Sequence, residues 1–297
     1  VLFEPGRCMS VAAGDIAWAT WRSESPAELS LDAFDSVRTW PLDEIPQEGL
    51  MGFIGAAMDR VTGDVVPAGG LHVRVEGQRN GQKLGLGSSA ATTIATLRAC
   101  LEAMGREAPA GEVTRLANAV HRKQQGGQGS GYDVVTIAHG GCVAYERTTG
   151  TVQQLSWPKG LYGAALYTGS PSSTVAALRR GITAETAGVA AIAAANDRLL
   201  AAWKSGAIRP ILRAFQRCEI AFELLAKDHP WMMPPSVNRL AAHILQHGGV
   251  ARTSGAGGGD CVLAWTDDVH ARDAMVDAWP DLCVARFPED LAPAETP

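Results

Sequence analysis

The chain has 297 residues, of which 46% are hydrophobic and 19% are charged, a balance that excludes an intrinsically disordered protein. Its 26 Lys and Arg residues are outnumbered by 31 Asp and Glu residues, for a formal net charge of −5. The cations are scattered rather than gathered into the basic stripe that nucleic-acid binding needs, and no apolar run reaches the roughly 18 to 20 residues of a membrane-spanning helix.

Cysteine and histidine spacing argues against a structural metal site. The six cysteines lie far apart and form no CxxC pair, and the seven histidines show no ligand spacing. We therefore expect reduced, mostly buried thiols in a cytoplasmic protein, and histidines that are structural or on the surface. The first residues lack the pattern of a signal peptide, which favours the same location.

Hydrophobic periodicity predicts a mixture of strands and helices along the chain. In order, it predicts a strand at 70–77, helices at 88–104 and 111–125, a short helix or turn followed by a strand at 142–146, a strand from 162, helices at about 173–205, 209–226 and 236–247, a strand at 261–266, a helix at 269–278 and a strand near 282–287. This order predicts the α+β class, with helices covering one face of a sheet.

The first segment that carries chemistry is KLGLGSSAATTIATL at 83–97. Gly85 and Gly87 allow close approach to the backbone, and Ser88 and Ser89 open the predicted helix. A helix start presents unpaired N–H groups and a partial positive charge, so the segment is typical of a phosphate cradle. It matches neither GxxxxGK[ST] nor GxGxxG. A glycine turn followed by a serine N-cap is the alternative interpretation.

The second segment is GGQGSGYDVVT at 126–136, which places Asp133 directly after a run of glycine and serine. Near a phosphate cradle, this carboxylate could orient a substrate hydroxyl or accept its proton. The alternative is that Asp133 only caps a short helix.

The third segment, TSGAGGGDCVLAW at 253–265, holds four glycines in five positions, followed by Asp260 and an apolar strand. Glycine loses more conformational entropy on folding than any other residue, so the cluster indicates that something approaches this backbone closely. The loop predicts N–H groups for an anion, with Asp260 as a cap or a cation ligand. A tight left-handed turn is the alternative.

Together, the three segments resemble in order and spacing the second motif, the catalytic-aspartate segment and the third motif of the GHMP kinases. The pieces KLGLGSSAA, QGSGYDV, YTGSPSST (167–174) and SGAGGGDC are most similar to bacterial phosphomevalonate kinases. The resemblance covers nearly the whole chain. It implies a GHMP kinase fold, with a ribosomal-S5-like ATP-binding domain over residues 1–158 and a ferredoxin-like domain over residues 159–297.

The resemblance also implies roles for single residues. Asp133 would be the catalytic carboxylate, and Ser89 would be a ligand of Mg²⁺. The ATP phosphates would be bound by Lys83, Gly85, Leu86, Gly87, Ser88, Ser89 and Ala90. The phosphorylated substrate would be bound by Ser130, Gly131, Tyr132, Ser170, Ser172, Ser173, Gly255, Ala256, Gly257 and Gly258. ATP and Mg²⁺ are the implied cofactors.

The chain departs from the family pattern in two places. The opening VLFEPG resembles the stretch just after the family's first motif, so the lysine of that motif is not among these residues. A non-catalytic GHMP-fold binding protein is therefore one alternative. Arg122 and Lys123 lie on the helix where mevalonate kinases usually carry an acidic metal ligand. They favour a substrate that already bears a phosphate, or they form a solvated basic helix end.

The implied activity is ATP-dependent phosphorylation of 5-phosphomevalonate to 5-diphosphomevalonate, a step toward isoprenoid precursors. Transfer to mevalonate or another small alcohol is the nearest enzymatic alternative. The expected partners are small molecules, with no nucleic acid and no membrane, and the protein is expected to be a monomer or a homodimer.

Overall fold

The computed structural model describes residues 6–14, 16–76, 78–79, 82–127, 129–172 and 187–294, without the side chains of residues 78, 79, 82 and 83. The chain forms two compact units. The first comprises residues 15–140 and 293–297, and the second comprises residues 1–14 and 141–292. The domain boundary at 158/159 stays a prediction. The compact units divide elsewhere, because β1 (Arg7–Val11) pairs with β8 (Cys142–Glu146).

The first unit is a four-stranded sheet covered by helices. The strands are β2 (Ala17–Arg22), β3 (Glu28–Ala33), β4 (Ser36–Pro41) and β5 (Gly70–Val75), in the order β2-β5-β3-β4, and only the β3–β5 pair is parallel. A short hairpin, β6 (Gln78–Arg79) and β7 (Gln82–Lys83), comes before the second helix. The helices are α1 (Gly49–Thr62), α2 (Ser88–Ala103), α3 (Ala110–Gln124) and α4 (Tyr132–His139).

The core of this unit follows from its patterns of apolar residues. Along β5, Leu71, Val73 and Val75 are buried on one face, as the alternation predicts. They pack in one cluster with apolar residues of the helices, among them Ile54, Leu97 and Val113. The strand predicted at 70–77 and the helices predicted at 88–104 and 111–125 are confirmed to within two residues at each end.

The second unit has a ferredoxin-like order of elements. Its main sheet is antiparallel, in the order β11-β12-β10-β13, built from β10 (Tyr162–Tyr167), β11 (Val250–Thr253), β12 (Cys261–Thr266) and β13 (Cys283–Phe287). Its helices are α5 (Ala187–Ser205), α6 (Ile208–Asp228), α7 (Pro235–Gln246) and α8 (Val269–Asp277), with a 3-10 turn at Pro230–Met232. Helices connect β10 to β11 and β12 to β13, which gives the β-α-β-β-α-β plan and confirms the α+β class.

A second sheet, β1-β8-β9, in which β9 spans Thr151–Leu155, completes this unit. The first part of the helix predicted at 173–205 lies outside the described residues. All six cysteines are free and four are buried, which agrees with the prediction of reduced, mostly buried thiols. Within the described ranges, no helix is both long enough and apolar enough to span a membrane.

Candidate active site

The start of α2 is built by a glycine rather than by a serine cap. Gly87 is the N-cap residue and has a left-handed φ of 75°, and as a glycine it has no side chain that could cap the helix. The interpretation of Ser88 or Ser89 as the N-cap is therefore wrong. The N–H of Ala91 donates to the carbonyl of Gly87 at 2.9 Å, so the N–H groups of residues 88–90 have no partner within the helix. This geometry is that of an anion site.

The side chains around this start differ in exposure. Ser88 is buried and Ser89 is half-buried, so Ser89 is the better placed of the two hydroxyls to meet a ligand. Ala90 is fully buried, and only its backbone is available to a phosphate. Gly85 is exposed and Leu86 is half-buried. Lys83 ends β7, but its side chain lies outside the described part of the chain.

Asp133 lies beside this helix start. It is an exposed residue in the first turn of α4, whose N-cap is Gly131, and its Oδ1 accepts a hydrogen bond from the N–H of Val134 at 2.9 Å. The interpretation of Asp133 as the helix cap is therefore wrong. A Cβ added to Gly87 would lie 3.6 Å from the Cβ of Asp133. The structure thus brings the predicted cradle and the predicted carboxylate together within one unit.

The residues just before Asp133 serve mainly to place it. Gly131 is left-handed, and a Cβ there would lie 2.6 Å from Oδ1 of Asn118 on α3. A larger residue would therefore push α4 away from α3. Tyr132 is 5% exposed, so a substrate contact would have to come from its backbone, while Ser130 is half-buried.

The glycine loop at 254–260 lies in the second unit, where its own chain approaches it closely. A Cβ on Gly257 would lie 2.6 Å from both the carbonyl oxygen of Met232 and Cζ of Phe222. A Cβ on Gly258 would lie 3.3 Å from the ring of Trp231, and the N–H of Gly258 donates to the carbonyl of Met232 at 2.8 Å. Close packing within the protein therefore accounts for Gly257 and Gly258.

Asp260 joins this loop to the neighbouring loop at 168–172. Its N–H donates to the carbonyl of Ser170 at 2.8 Å, and its Oδ1 accepts from the N–H of Ser172 at 2.8 Å. Burial raises the pKa of Asp260, and the hydrogen bond from Ser172 opposes this effect. Its carboxylate thus joins two loops, which explains its position without a cation.

The predicted substrate serines are placed differently from one another. The hydroxyl of Ser172 donates to the carbonyl of Gly257 at 2.7 Å, so its proton is used within the loop. Ser170 is exposed, and Ser173 lies outside the described residues. Gly255 is exposed and Ala256 is half-buried, and no atom of the described residues lies within 4 Å of a Cβ added to Gly255.

The two cations at the end of α3 are both exposed. Lys123 lines a shallow groove of about 250 Å³ between α1 and α3, beside Asp59 and Arg60. The position of Lys123 therefore agrees with a solvated helix end. Arg122 does not line this groove.

The structure buries one of the histidines that the sequence leaves as structural or surface residues. His121 is 4% exposed and its ring packs on that of Phe53, with centroids 4.7 Å apart. Burial lowers the pKa of His121, against the opposing effect of the Asp133 carboxylate. Asn118, His121 and Gln125 recur at intervals of three and four residues, which places them on one face of α3. This spacing is the only signal in the sequence that could have indicated that His121 faces the interior.

Metal ligands are sparse in the described part of the chain, where no group of three or more His, Cys, Asp or Glu side chains could hold an ion. Mg²⁺ commonly binds through one or two protein oxygens together with nucleotide phosphates. The half-buried hydroxyl of Ser89, next to the uncapped N–H groups, fits an ion that arrives with ATP.

Comparison with known proteins places this geometry in a family. The model of the GHMP kinases N terminal domain matches residues 52–141, and that of the GHMP kinases C terminal domain matches residues 211–285. A phosphomevalonate kinase from Streptomyces sp. (strain CL190) is 29% identical over 242 residues, which are 71% of this chain and 64% of the relative. The chain thus spans less than two thirds of that relative's length.

Solved structures share the fold. A Streptococcus pneumoniae phosphomevalonate kinase in complex with phosphomevalonate and AMPPNP has a TM-score of 0.73 at 18% identity, covering 95% of this chain and 97% of that one. The Methanococcus jannaschii mevalonate kinase has a TM-score of 0.70 at 17% identity, covering 98% and 92%. These identities establish the fold alone. Because the two family models together match more than half of its residues, the chain belongs to the GHMP kinase family.

Proposed function

We propose that the protein transfers the γ-phosphoryl group of ATP to a small molecule that already bears a phosphate, with 5-phosphomevalonate as the acceptor. The observation that carries this proposal is the uncapped helix start at Gly87 beside the exposed carboxylate of Asp133. Phosphoryl transfer asks a protein mainly for N–H donors to the phosphates and for a group that positions the attacking oxygen. The 29% identity to a phosphomevalonate kinase supports the choice of acceptor.

In this reaction an oxygen of the acceptor phosphate bonds to the γ-phosphorus, and the bond from that phosphorus to the β,γ-bridging oxygen breaks, which releases ADP. The N–H groups at the start of α2 hold the triphosphate, and the partial positive charge of the helix offsets its negative charge. Asp133 orients the acceptor phosphate and takes its proton when the attacking group is still protonated. An acceptor hydroxyl, as in mevalonate, would have to lose its proton in every turnover.

Mg²⁺ is proposed to bind with ATP through the hydroxyl of Ser89. When bound, the ion neutralises charge on the phosphate oxygens. The family's use of a nucleotide, seen in the relative crystallised with AMPPNP, supports ATP as the cofactor.

We assign the acceptor's phosphate to Arg122, which lies in the same compact unit as Asp133. Its guanidinium carries hydrogen-bond donors, and the residue is exposed. We also keep a cytoplasmic location as part of the proposal, supported by the six free thiols, because cytosolic proteins keep their thiols reduced.

Replacement of Asp133 tests the proposal. Asp133→Asn in the full-length protein keeps the shape of the side chain but removes its charge and its basicity. We expect kcat to fall by about 10²-fold or more near pH 6, which is the usual effect of losing a positioned acid–base group. The affinity for ATP, measured by calorimetry, should change by less than about threefold, which is under 1 kcal/mol.

Glu112→Gln is the matched control. Glu112 is also an acidic residue in the first turn of a helix, α3, so both variants lose the same favourable interaction with a helix dipole. The control should retain its kcat. Equal turnover in the parent and in Asp133→Asn would remove Asp133 from the mechanism.

A further inference from the structure

The helix that carries Asp133 is short, and other segments of the chain hold its far end. The eight residues of α4 place Asp133 in the first turn, and Gly140 is the C-cap. The carbonyl of Ala138, near that end, accepts a hydrogen bond from Nη2 of Arg98 on α2 at 3.3 Å. A helix of this length spans only about 12 Å and is closed by its own hydrogen bonds, so a shift at its end also moves Asp133.

Residues 290–294, which we call the strap, pass the end of α4. The N–H of Gly141 donates to the carbonyl of Ala292 at 3.0 Å. The N–H of Ala292 donates in turn to the carbonyl of Ala12, just after β1, at 3.1 Å. The strap is therefore fixed by backbone hydrogen bonds both to the residue that follows α4 and to the segment that follows β1.

The strap also packs on the backbone at the C-cap of α4. Gly140 is buried, with a φ of 65° and a ψ of 179°. A Cβ there would lie under 3.0 Å from the carbonyl oxygen of Pro293 and 3.3 Å from Cα of Ala294. Because both of these are backbone atoms, no side-chain rotation could make room for it. The strap can therefore occupy this position only because residue 140 has no side chain.

Helix termination alone does not explain this contact. Glycine is common at the end of a helix because it adopts a positive φ without strain. Gly63, the C-cap of α1, has a φ of 53° and donates its N–H to the carbonyl of Asp59, as Gly140 does to that of Thr136. No atom of the described residues lies within 4 Å of a Cβ added to Gly63. The close approach at Gly140 is therefore a feature of the strap.

We infer that the strap sets the position of α4, and that Gly140 and Pro293 are positioning residues for Asp133. The inference rests on the proposed function. The two residues lie at the opposite end of α4 from Asp133 and act through the backbone of that helix. A misplacement of about 1 Å at a catalytic group can reduce a rate by about 10²-fold.

Gly140→Ala tests the inference, and Gly63→Ala is its matched control, because both glycines are C-caps with a positive φ in the same compact unit. Both variants should melt at a lower temperature, since each gains backbone strain. Only Gly140→Ala should lower kcat, by about tenfold or more, and Gly63→Ala should keep its kcat. The affinity for ATP should stay within about threefold in both, because the N–H groups at the start of α2 remain.

A truncation after Ala292 removes the group that a side chain at 140 would meet. The truncated chain loses Pro293 and Ala294 but keeps the hydrogen bonds of Ala292. We expect its kcat to fall, because the end of α4 has lost its backbone neighbour. Adding Gly140→Ala to the truncated chain should lower kcat by a smaller factor than in the full chain, since the two changes act on one contact. The same factor in both chains would overturn the inference.

Amide hydrogen exchange provides a readout that does not depend on activity. Peptides that cover residues 132–139 should exchange faster in the truncated chain than in the parent or in Gly63→Ala, because α4 has lost a contact at its end. Unchanged exchange there, or an unchanged kcat in Gly140→Ala when the parent is active, would overturn the inference. A parent that does not turn over any acceptor would contradict the proposed function, and the exchange experiment would still decide whether the strap holds α4.

Discussion

Two glycines of the loop at 254–260 should respond differently to replacement by alanine. Gly259 has a φ of 151°, and a Cβ there would lie under 3.0 Å from the carbonyl oxygen of Ser170, which real Cβ atoms essentially never show. Gly255 has a φ of 58°, and none of the described residues lies within 4 Å of a Cβ added there. Gly259→Ala therefore meets both backbone strain and a backbone clash, whereas Gly255→Ala meets strain alone.

The expected losses in the free energy of unfolding differ accordingly. Strain at a glycine-only φ is worth about 1–3 kcal/mol, and overpacking adds about 1–3 kcal/mol, so Gly259→Ala should lose about 3 kcal/mol or more. Gly255→Ala should lose about 1–2 kcal/mol, the usual effect of a left-handed residue with a side chain. Both losses act on the second unit, where the loop lies.

Urea unfolding followed by tryptophan fluorescence measures this difference, with the transition of the second unit fitted separately. The midpoint should fall clearly further for Gly259→Ala than for Gly255→Ala. Equal midpoints would refute the reasoning that close approach of the protein's own backbone requires glycine at 259. A large loss in Gly255→Ala would contradict the expectation that this residue meets backbone strain alone.

Three further predictions concern charge and ligand binding. Asp260→Asn should keep the hydrogen bond from Ser172 and tolerate the positive φ of 56°, so it should unfold at the same or a higher temperature. Asp260→Ala should lower the free energy of unfolding by about 1–2 kcal/mol. Because burial raises the pKa of Asp260 above 3.8, the native state binds the extra proton. The contribution of Asp260 to stability is therefore lost as pH rises, and the advantage of Asp260→Asn should be larger at about pH 7 than at about pH 4. Gly87→Val should weaken ATP binding at least tenfold by isothermal titration, since a side chain there would press on Ile137 at 3.3 Å and disturb the N–H groups. A phosphate acceptor has a second pKa of about 6, so it needs a base only when it is still protonated. The rate defect of Asp133→Asn should then be larger at about pH 5.5 than at about pH 8, whereas a hydroxyl acceptor would give the same defect at both pH values.

Much of the helical framework could be predicted because its apolar residues recur at helical spacing. The bounds of α2, α3 and α6 lie within two residues of the predictions. By contrast, α1 was not predicted. It contains Gly49, Gly52 and Gly55, each of which weakens a helix by about 1 kcal/mol. Gly52 is explained by how the chain enters the helix, since a Cβ there would lie 2.5 Å from the carbonyl oxygen of Gln47, just before α1.

The candidate site was predictable in its segments and less so in its contacts. Gly87 and Asp133 were indicated by local sequence, but their proximity depends on how α2 and α4 pack, which no local pattern specifies. The glycine cluster indicated close approach, and the structure shows that for Gly257 and Gly259 the approaching groups belong to the protein itself. Local sequence indicates the conformational freedom but not which group uses it.

The central claim is tested most directly by the products formed from Mg-ATP and each acceptor. The full-length protein is incubated with 5-phosphomevalonate or with mevalonate, and the products are identified by phosphorus NMR and mass spectrometry. The account predicts one ADP and one 5-diphosphomevalonate per turnover, with kcat/KM at least tenfold higher for 5-phosphomevalonate, because charge-assisted contacts to a phosphate are worth about 1.5–3 kcal/mol each. Equal or faster phosphorylation of mevalonate would contradict the proposed acceptor, and ADP formation with neither compound would contradict the proposed reaction.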